Sequence, residues 1–166
     1  MKARPNPVPK KRTTRPTREQ PPDKIELDAS GMIDTPSVYH NFIYYLLGTT
    51  EIGFLLVEFM SFKSQTLLQT AKMFAQVGGP PKRVGVDAAG EYKSANAARY
   101  FAHHQIAVDD TVGGEHWRQG GIERGHGQIK TMTRSSLAHA CAPREFWSFA
   151  LRHMAVSYTH LRAHET

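Results

Sequence analysis

The 166-residue sequence is poor in cysteine, has no long apolar run and carries almost no charge imbalance beyond its first 22 residues. Its single cysteine, Cys141, cannot form an internal disulfide and excludes a zinc site built on cysteines. The absence of 18 consecutive apolar residues argues against a membrane-spanning helix, and the N terminus lacks the apolar region of a secretory signal. These absences predict a soluble intracellular protein in a reducing compartment, without a membrane partner.

The net charge of +6 comes from one end of the chain. Residues 1–22 hold seven Lys or Arg side chains against Glu19 alone, whereas basic and acidic side chains balance at fourteen each in the remainder. The same segment holds six of the ten prolines, a spacing that forbids a helix. We interpret residues 1–22 as an extended basic linker, which either contacts nucleic acid or stays solvated.

The last eleven residues, 156–166, read VSYTHLRAHET. They match one reading frame of a common transposase-based sequencing adapter at every position, and the alternative is a natural helix end. We therefore expect that the natural reading frame was interrupted near Ala155. The globular domain is then predicted to occupy residues 23–155 and to be truncated at its C terminus.

Hydrophobic periodicity across this domain predicts the order β-β-β-α-β-α-β-α-α. Three consecutive strands followed by strand–helix units predict a five-stranded mixed α/β sheet flanked by helices. The second and third strands are expected at 41–47 and 53–60, around a turn at 48–51. A glycine-rich loop that includes Gly120 and Gly121 is expected to precede a long helix at 122–140. Pro143 then opens a last helix that buries Phe146 and Trp147.

Three carboxylates fall at positions where such a sheet gathers ligands. Asp28 ends the first predicted strand, Asp87 ends the fourth, and Glu123 is expected in the first turn of the long helix. Ligands collect at the carboxyl ends of the strands in open α/β sheets, and neighbouring strands lie about 4.8 Å apart. Mg²⁺ prefers hard oxygen ligands, so these carboxylates could hold metal ions, or they could be solvated strand and helix ends.

Two sequence motifs surround the second and third carboxylates. VGVDAAGEYKS (84–94) resembles the segment around the second catalytic aspartate of integrases from copia-type retrotransposons, usually D-N-G-G-E-Y. RQGGIERGHGQIKTMTRSSLAHACAPREFWSFAL (118–151) resembles the same family's Q-N-G-x-x-E-R helix and its P-x-x-F-W helix start. IELDASGMI (25–33) is similar to the family's first-aspartate strand. The 35 residues between Asp87 and Glu123 are the spacing typical of this retroviral integrase superfamily.

The resemblance covers about residues 9–155 and implies a ribonuclease H-like fold. The activity it implies is trimming of the element's DNA ends and transfer of each 3′ hydroxyl into target DNA. It further implies that Asp28, Asp87 and Glu123 bind two Mg²⁺ or Mn²⁺ ions, and that DNA is the substrate in place of a small molecule. The partners implied are the element ends, the target DNA and further copies of the chain, in the nucleus or an element particle if the host is a eukaryote.

Four residues of the second motif are candidate contacts to nucleic acid: Arg118, Gln119, Arg124 and Lys130. Lys130 lies two turns after Glu123 on the same helix face, although an exposed lysine without a role is an equal alternative. Gln119, Gly120 and Gly121 would shape the active-site loop in the family. We interpret His126 as a surface histidine.

Departures from the family pattern keep the function open. The family D-N-G-G reads Asp-Ala-Ala-Gly at 87–90, and Q-N-G reads Gln-Gly-Gly at 119–121, so two asparagines are lost but no expected metal ligand is. The leading hypothesis is a metal-dependent integrase core. The alternative is a catalytically inactive ribonuclease H-like remnant that only binds nucleic acid. A third is a related nuclease or cut-and-paste transposase, which the P-x-x-F-W motif disfavours.

Overall fold

The computed structural model describes residues 21–86, 92–110 and 116–165. For residues 110, 116–120 and 162–165 it describes the backbone and not the side chains. Within these ranges the strands and α-helices follow the predicted order, β-β-β-α-β-α-β-α-α. They are β1 (Lys24–Ala29), β2 (Tyr44–Thr50), β3 (Leu55–Met60), α1 (Thr66–Gln76), β4 (Arg83–Val86), α2 (Ala95–His103), β5 (Ala107–Asp110), α3 (His116–His139) and α4 (Trp147–Glu165).

The five strands form one mixed sheet in the order β3-β2-β1-β4-β5. The pairs β1–β2 and β2–β3 are antiparallel, as short connections between consecutive strands allow. The pairs β1–β4 and β4–β5 are parallel, and helices form the crossovers between them. The predicted α/β class and mixed sheet are confirmed, and β1 lies at the centre of the sheet.

Helices cover both faces of this sheet, so the protein has two apolar layers. One layer joins the sheet to α1 and α2 and includes Ile25, Leu27, Phe74 and Phe101. The other joins it to α3 and α4. Burial on both faces explains why β2 reads as a continuous apolar run, in which Tyr45, Leu46 and Leu47 are all almost inaccessible.

The expected turn at 48–51 was placed too early. Gly48 belongs to β2, where it pairs with Leu56 of β3, and the turn begins only after Thr50. Met73 Sδ occupies the space that a Cβ on residue 48 would need, so the glycine serves close packing of α1 on the sheet. The reversal occurs where Gly53, with φ of 82°, donates its N–H to the carbonyl of Thr50.

The long helix begins earlier than the sequence pattern predicts. α3 starts at His116, which places Gly120 and Gly121 inside the helix and Glu123 about two turns from its start. The predicted loop at Gly120–Gly121, and the placement of Glu123 in the first helical turn, are therefore wrong. Glycine is a poor helix former, which explains why this stretch reads as a loop. Burial of Ile122 against the sheet stabilises the helix here.

Pro143 precedes a short 3-10 turn, after which α4 begins at Trp147. Trp147 is buried as predicted, and its Nε1 donates a hydrogen bond to the carbonyl of Thr35 over 3.0 Å. Phe146, also predicted to be buried, is instead 42% exposed, because it faces outward from the 3-10 turn.

α4 continues through residues 156–165, where Leu55 N of β3 donates a hydrogen bond to Thr159 Oγ1 over 3.2 Å. The adapter-derived origin of this segment stays a prediction. Within the described parts of the chain, no helix is long and apolar enough to cross a membrane.

Candidate active site

Asp28 lies near the carboxyl end of the central strand β1, where it pairs with Leu47 of β2. Side chains alternate along a strand, so Asp28 points away from the layer that buries Ile25 and Leu27 and towards α3. Its side chain is 35% exposed. The predicted position of Asp28 at a strand end is therefore confirmed, and its carboxylate stays open to solvent or a ligand.

A histidine of α3 contacts this carboxylate. His126 Nε2 lies 3.2 Å from Asp28 Oδ2, close enough for an ion pair but without the alignment of a hydrogen bond. On the other side of the ring, His126 Nδ1 is 2.9 Å from the hydroxyl of Tyr45 on β2. Tyr45, His126 and Asp28 thus form a continuous polar chain that leads from the core to the strand end.

The protonation pattern of this chain follows from burial. Burial, and secondarily the Asp28 carboxylate, raise the pKa of Tyr45 far above its ordinary value of 10.0. The hydroxyl is therefore neutral and can donate to His126 Nδ1. A neutral imidazole that accepts this hydrogen bond carries its N–H on Nε2, facing the Asp28 carboxylate, whereas the opposite tautomer would face a lone pair towards a negative charge.

The interpretation of His126 as a surface histidine was wrong, since the residue is only 8% exposed. The periodicity of α3 contains the signal that could have found it. Ile122, Gly125, His126, Ile129 and Thr133 follow the i, i+3, i+4, i+7 pattern of one helical face, and all are buried. A histidine on this apolar stripe, one turn after Glu123, is placed to meet a polar group on the sheet.

Glu123 is exposed on α3, one turn before His126. Asp87 follows β4 directly in sequence but lies outside the described residues. Among the residues that the structure describes, no three His, Cys, Asp or Glu side chains are close enough together to hold a metal ion. The described part of the chain thus places Asp28 and Glu123 on the adjacent elements β1 and α3, and the metal set remains a prediction.

α3 lies close to the sheet beside this site, with Gly121 and Gly125 facing the strands. A Cβ on Gly125 would be 3.4 Å from Leu47 Cδ2 and 3.5 Å from Leu55 Cδ2, at ordinary contact distance. A Cβ on Gly121 would be 3.7 Å from Glu26 Oε2, two residues before Asp28 on the same strand. α3 therefore runs along β1 from Glu26 to Asp28, which sets the position of His126.

Two of the four candidate nucleic-acid residues can be located. Arg124 and Lys130 are exposed on α3, as a role in binding a phosphate backbone requires. Arg118 and Gln119 are helical, but their side chains lie outside the description. Solvent exposure does not separate the DNA-binding role of Lys130 from that of an ordinary surface lysine.

The sheet order, with a central β1 that is antiparallel to β2 and parallel to β4, is consistent with the ribonuclease H-like fold that the sequence motifs imply. The fold is similar to a chain in the cryo-EM structure of the simian T-cell lymphotropic virus intasome in complex with the PP2A regulatory subunit B56 gamma. The TM-score is 0.62 at 17% identity, over 80% of this chain and 48% of that chain. No protein-family model and no curated protein matches the sequence.

Proposed function

We propose that this chain is the catalytic core of an integrase of the copia retrotransposon type, which trims the DNA ends of its element and joins them to target DNA. The proposal rests on the position of Asp28, which lies on the central strand of a fold similar to that of a retroviral intasome chain. A histidine one turn after Glu123 contacts the Asp28 carboxylate. The motifs at 84–94 and 118–151 support the copia type.

The proposed metal ligands are Asp28, Asp87 and Glu123, which would hold two Mg²⁺ or Mn²⁺ ions. The donor set fits, because Asp28 offers a partly exposed carboxylate and Glu123 an exposed one. β4 ends at Val86, which pairs with Leu27. The described part of β4 thus ends beside the residue that precedes Asp28. Metal ions in such a set activate the attacking oxygen and stabilise the leaving one.

The remaining residues have positioning roles in this proposal. Tyr45 fixes the tautomer of His126, and His126 fixes the orientation of the Asp28 carboxylate so that its free oxygen faces the ligand side. Arg118, Gln119, Arg124 and Lys130 would contact the DNA backbone around the reacting phosphodiester.

The proposed partners are DNA and further copies of the chain, in the nucleus or in an element particle if the host is a eukaryote. The chain spans about half of the intasome chain to which it is similar. A disintegration reaction, which reverses strand transfer on a branched DNA substrate, is therefore the activity that we expect a core alone to retain.

The test is a disintegration assay on the full chain with Mg²⁺ or Mn²⁺. Asp28→Asn, Asp87→Asn and Glu123→Gln should each remove activity, because each deletes a negatively charged oxygen ligand. Asp109→Asn is the matched control, since Asp109 is also a strand carboxylate but pairs with Lys24 at 3.3 Å. Activity that survives Asp87→Asn would refute the assignment of the metal ligands.

The alternative is a catalytically inactive remnant of this fold that only binds nucleic acid. The observation that favours it is the segment 1–22, which carries charge equal to the whole net charge of the chain. In this case the wild-type protein has no disintegration activity with either metal. Deletion of residues 1–22 should then abolish DNA binding and flatten its dependence on salt, whereas unchanged binding would exclude this alternative.

A further inference from the structure

A pocket of about 520 Å³ lies at the β3 edge of the sheet, between α1, α4 and the turn before β2. Its volume is within the roughly 300–1,000 Å³ of pockets that hold small ligands. Among the described residues, neither Asp28 nor Glu123 lines it. The pocket is thus a separate feature of the fold from the proposed active site.

The walls of the pocket are aromatic. Phe42 and Phe59 stack with ring centroids 5.6 Å apart, and Tyr39 and Phe149 lie at the opening with centroids 5.9 Å apart. Tyr39 and Phe149 are 55% and 52% exposed, and Leu68 beside them is 55% exposed. Large apolar side chains grouped around one opening mark a binding surface and not a typical solvated face.

The turn that presents Tyr39 is itself strained. His40 and Asn41 have φ values of 57° and 51°, a left-handed conformation that non-glycine residues adopt infrequently. A hydrogen bond from Ser61 Oγ to the carbonyl of His40 holds this turn against the end of β3. The aromatic opening is therefore a fixed part of the fold.

The charge around the pocket favours an anionic ligand. Lys72 and Arg152 both line it, and the carboxylate that accompanies them is Glu58. Glu58 is buried, accepts a hydrogen bond from Gln76 and lies 3.6 Å from the guanidinium of Arg152. Because Arg152 compensates Glu58, the net charge of these side chains is the positive charge of Lys72.

One buried polar group of the wall has no hydrogen-bond partner among the described residues. Gln69 is 5% exposed, and its Oε1 accepts no hydrogen bond from any described residue. A buried acceptor without a donor lowers stability. After a rotation of the Gln69 side-chain amide, a ligand N–H group could donate to Oε1 and remove this unfavourable term.

We propose that this pocket binds an unpaired nucleotide of a single-stranded nucleic acid. The base would stack on the ring of Phe149, its edge would donate to Gln69, and its phosphate would lie at Lys72, beside Arg152. A nucleotide combines a planar apolar body, N–H donors and a negative charge, which are the three features that the pocket complements. Aromatic rings beside cations are the usual platform for single strands.

The test uses the full chain and a short oligothymidylate that contains one 2-aminopurine, whose fluorescence is quenched when the base stacks. The wild-type protein should quench the probe on binding. Phe149→Ala should remove most of the quenching and weaken binding by about fivefold or more, as expected for loss of one stacked base. Lys72→Gln should lower the salt dependence of binding by about one phosphate contact.

A matched control separates this pocket from other surfaces. Arg99→Gln removes an exposed cation on α2, which does not line the pocket. This variant should leave quenching unchanged. Quenching measured without Mg²⁺ or Mn²⁺ reports on the pocket, and the disintegration assay reports on catalysis, so failure of the proposed catalysis and failure of the pocket give different results.

Two results would overturn the proposal. Quenching by Phe149→Ala equal to that of the wild-type protein would show that the base stacks elsewhere. A change in sedimentation of Phe149→Ala, with quenching unaltered, would identify this face as an interface between copies of the chain.

Discussion

The contact between Tyr45 and His126 makes a quantitative prediction about stability. Tyr45 is 1% exposed and His126 is 8% exposed, so each side chain relies on the other for its hydrogen bond. Tyr45→Phe leaves His126 Nδ1 without its donor, and His126→Leu leaves the Tyr45 hydroxyl without its acceptor. Each single substitution should lower the free energy of unfolding by about 1–3 kcal/mol, the cost of one unsatisfied buried polar group.

The double variant should be much less unstable than the sum of the two singles, because no polar group is then stranded. We expect a coupling energy of at least about 1 kcal/mol, measured by equilibrium urea denaturation of the four proteins. Effects of the two substitutions that add within about 0.5 kcal/mol would refute the claim that these groups satisfy each other.

The same variants test the link to the candidate active site. His126→Leu removes the contact to Asp28, whereas Tyr45→Phe leaves the imidazole beside the carboxylate. His126→Leu should therefore lower disintegration activity by about 10-fold or more, as loss of an outer contact to a metal ligand commonly does. Tyr45→Phe should lower it less. Equal activity of the two variants, at matched folded fractions, would show that His126 acts only in the core.

Three further predictions follow from glycine packing and from burial. Gly127→Ala should raise the free energy of unfolding by about 1 kcal/mol, because nothing lies within 4 Å of the added Cβ and alanine favours a helix; an unchanged midpoint in urea contradicts this. Gly48→Ala should lower it by about 1–3 kcal/mol through the clash with Met73 Sδ, and Gly48→Ala combined with Met73→Ala should cost less than the sum of the two single substitutions. Tyr45 should stay protonated as the pH rises above 10, so its raised pKa contributes stability below pH 10 that is lost at higher pH. Ultraviolet titrations of the wild-type protein and of Tyr45→Phe should therefore coincide near pH 10. A titration in which the variant has one ionising tyrosine fewer at that pH would contradict the burial argument.

Much of the fold could be predicted from the sequence because its strands are short and their ends are marked. Arg83–Val86 was placed to the residue, since an apolar run between Pro81 and Asp87 leaves little choice. The order of elements also followed from the change of period from two to 3.6 along the chain. By contrast, Gly48 was assigned to a turn, because its place in the strand depends on the packing of Met73 from a different element.

The candidate site could be predicted only in part. Asp28 was found because a polar residue at the end of an alternating strand is conspicuous. His126 was missed because single polar residues in a helix are usually exposed, although Ile122 and Ile129 mark the apolar face on which it lies. No local pattern could show that Tyr45, which is 81 residues earlier in the chain, meets this histidine.

Glycines in α3 have a consequence for how the carboxylates come together. Gly120, Gly121, Gly125 and Gly127 surround the turn that carries Glu123, and each costs a helix about 1 kcal/mol relative to alanine. This stretch of α3 therefore depends on contact with the sheet for its helical state. It should open locally at a lower free energy than β1 does, and its amide hydrogens should exchange sooner. Glu123 would then come to its place near Asp28 only when this stretch of α3 is helical. A ligand that binds both carboxylates would therefore also stabilise the helical state of the glycine-rich stretch.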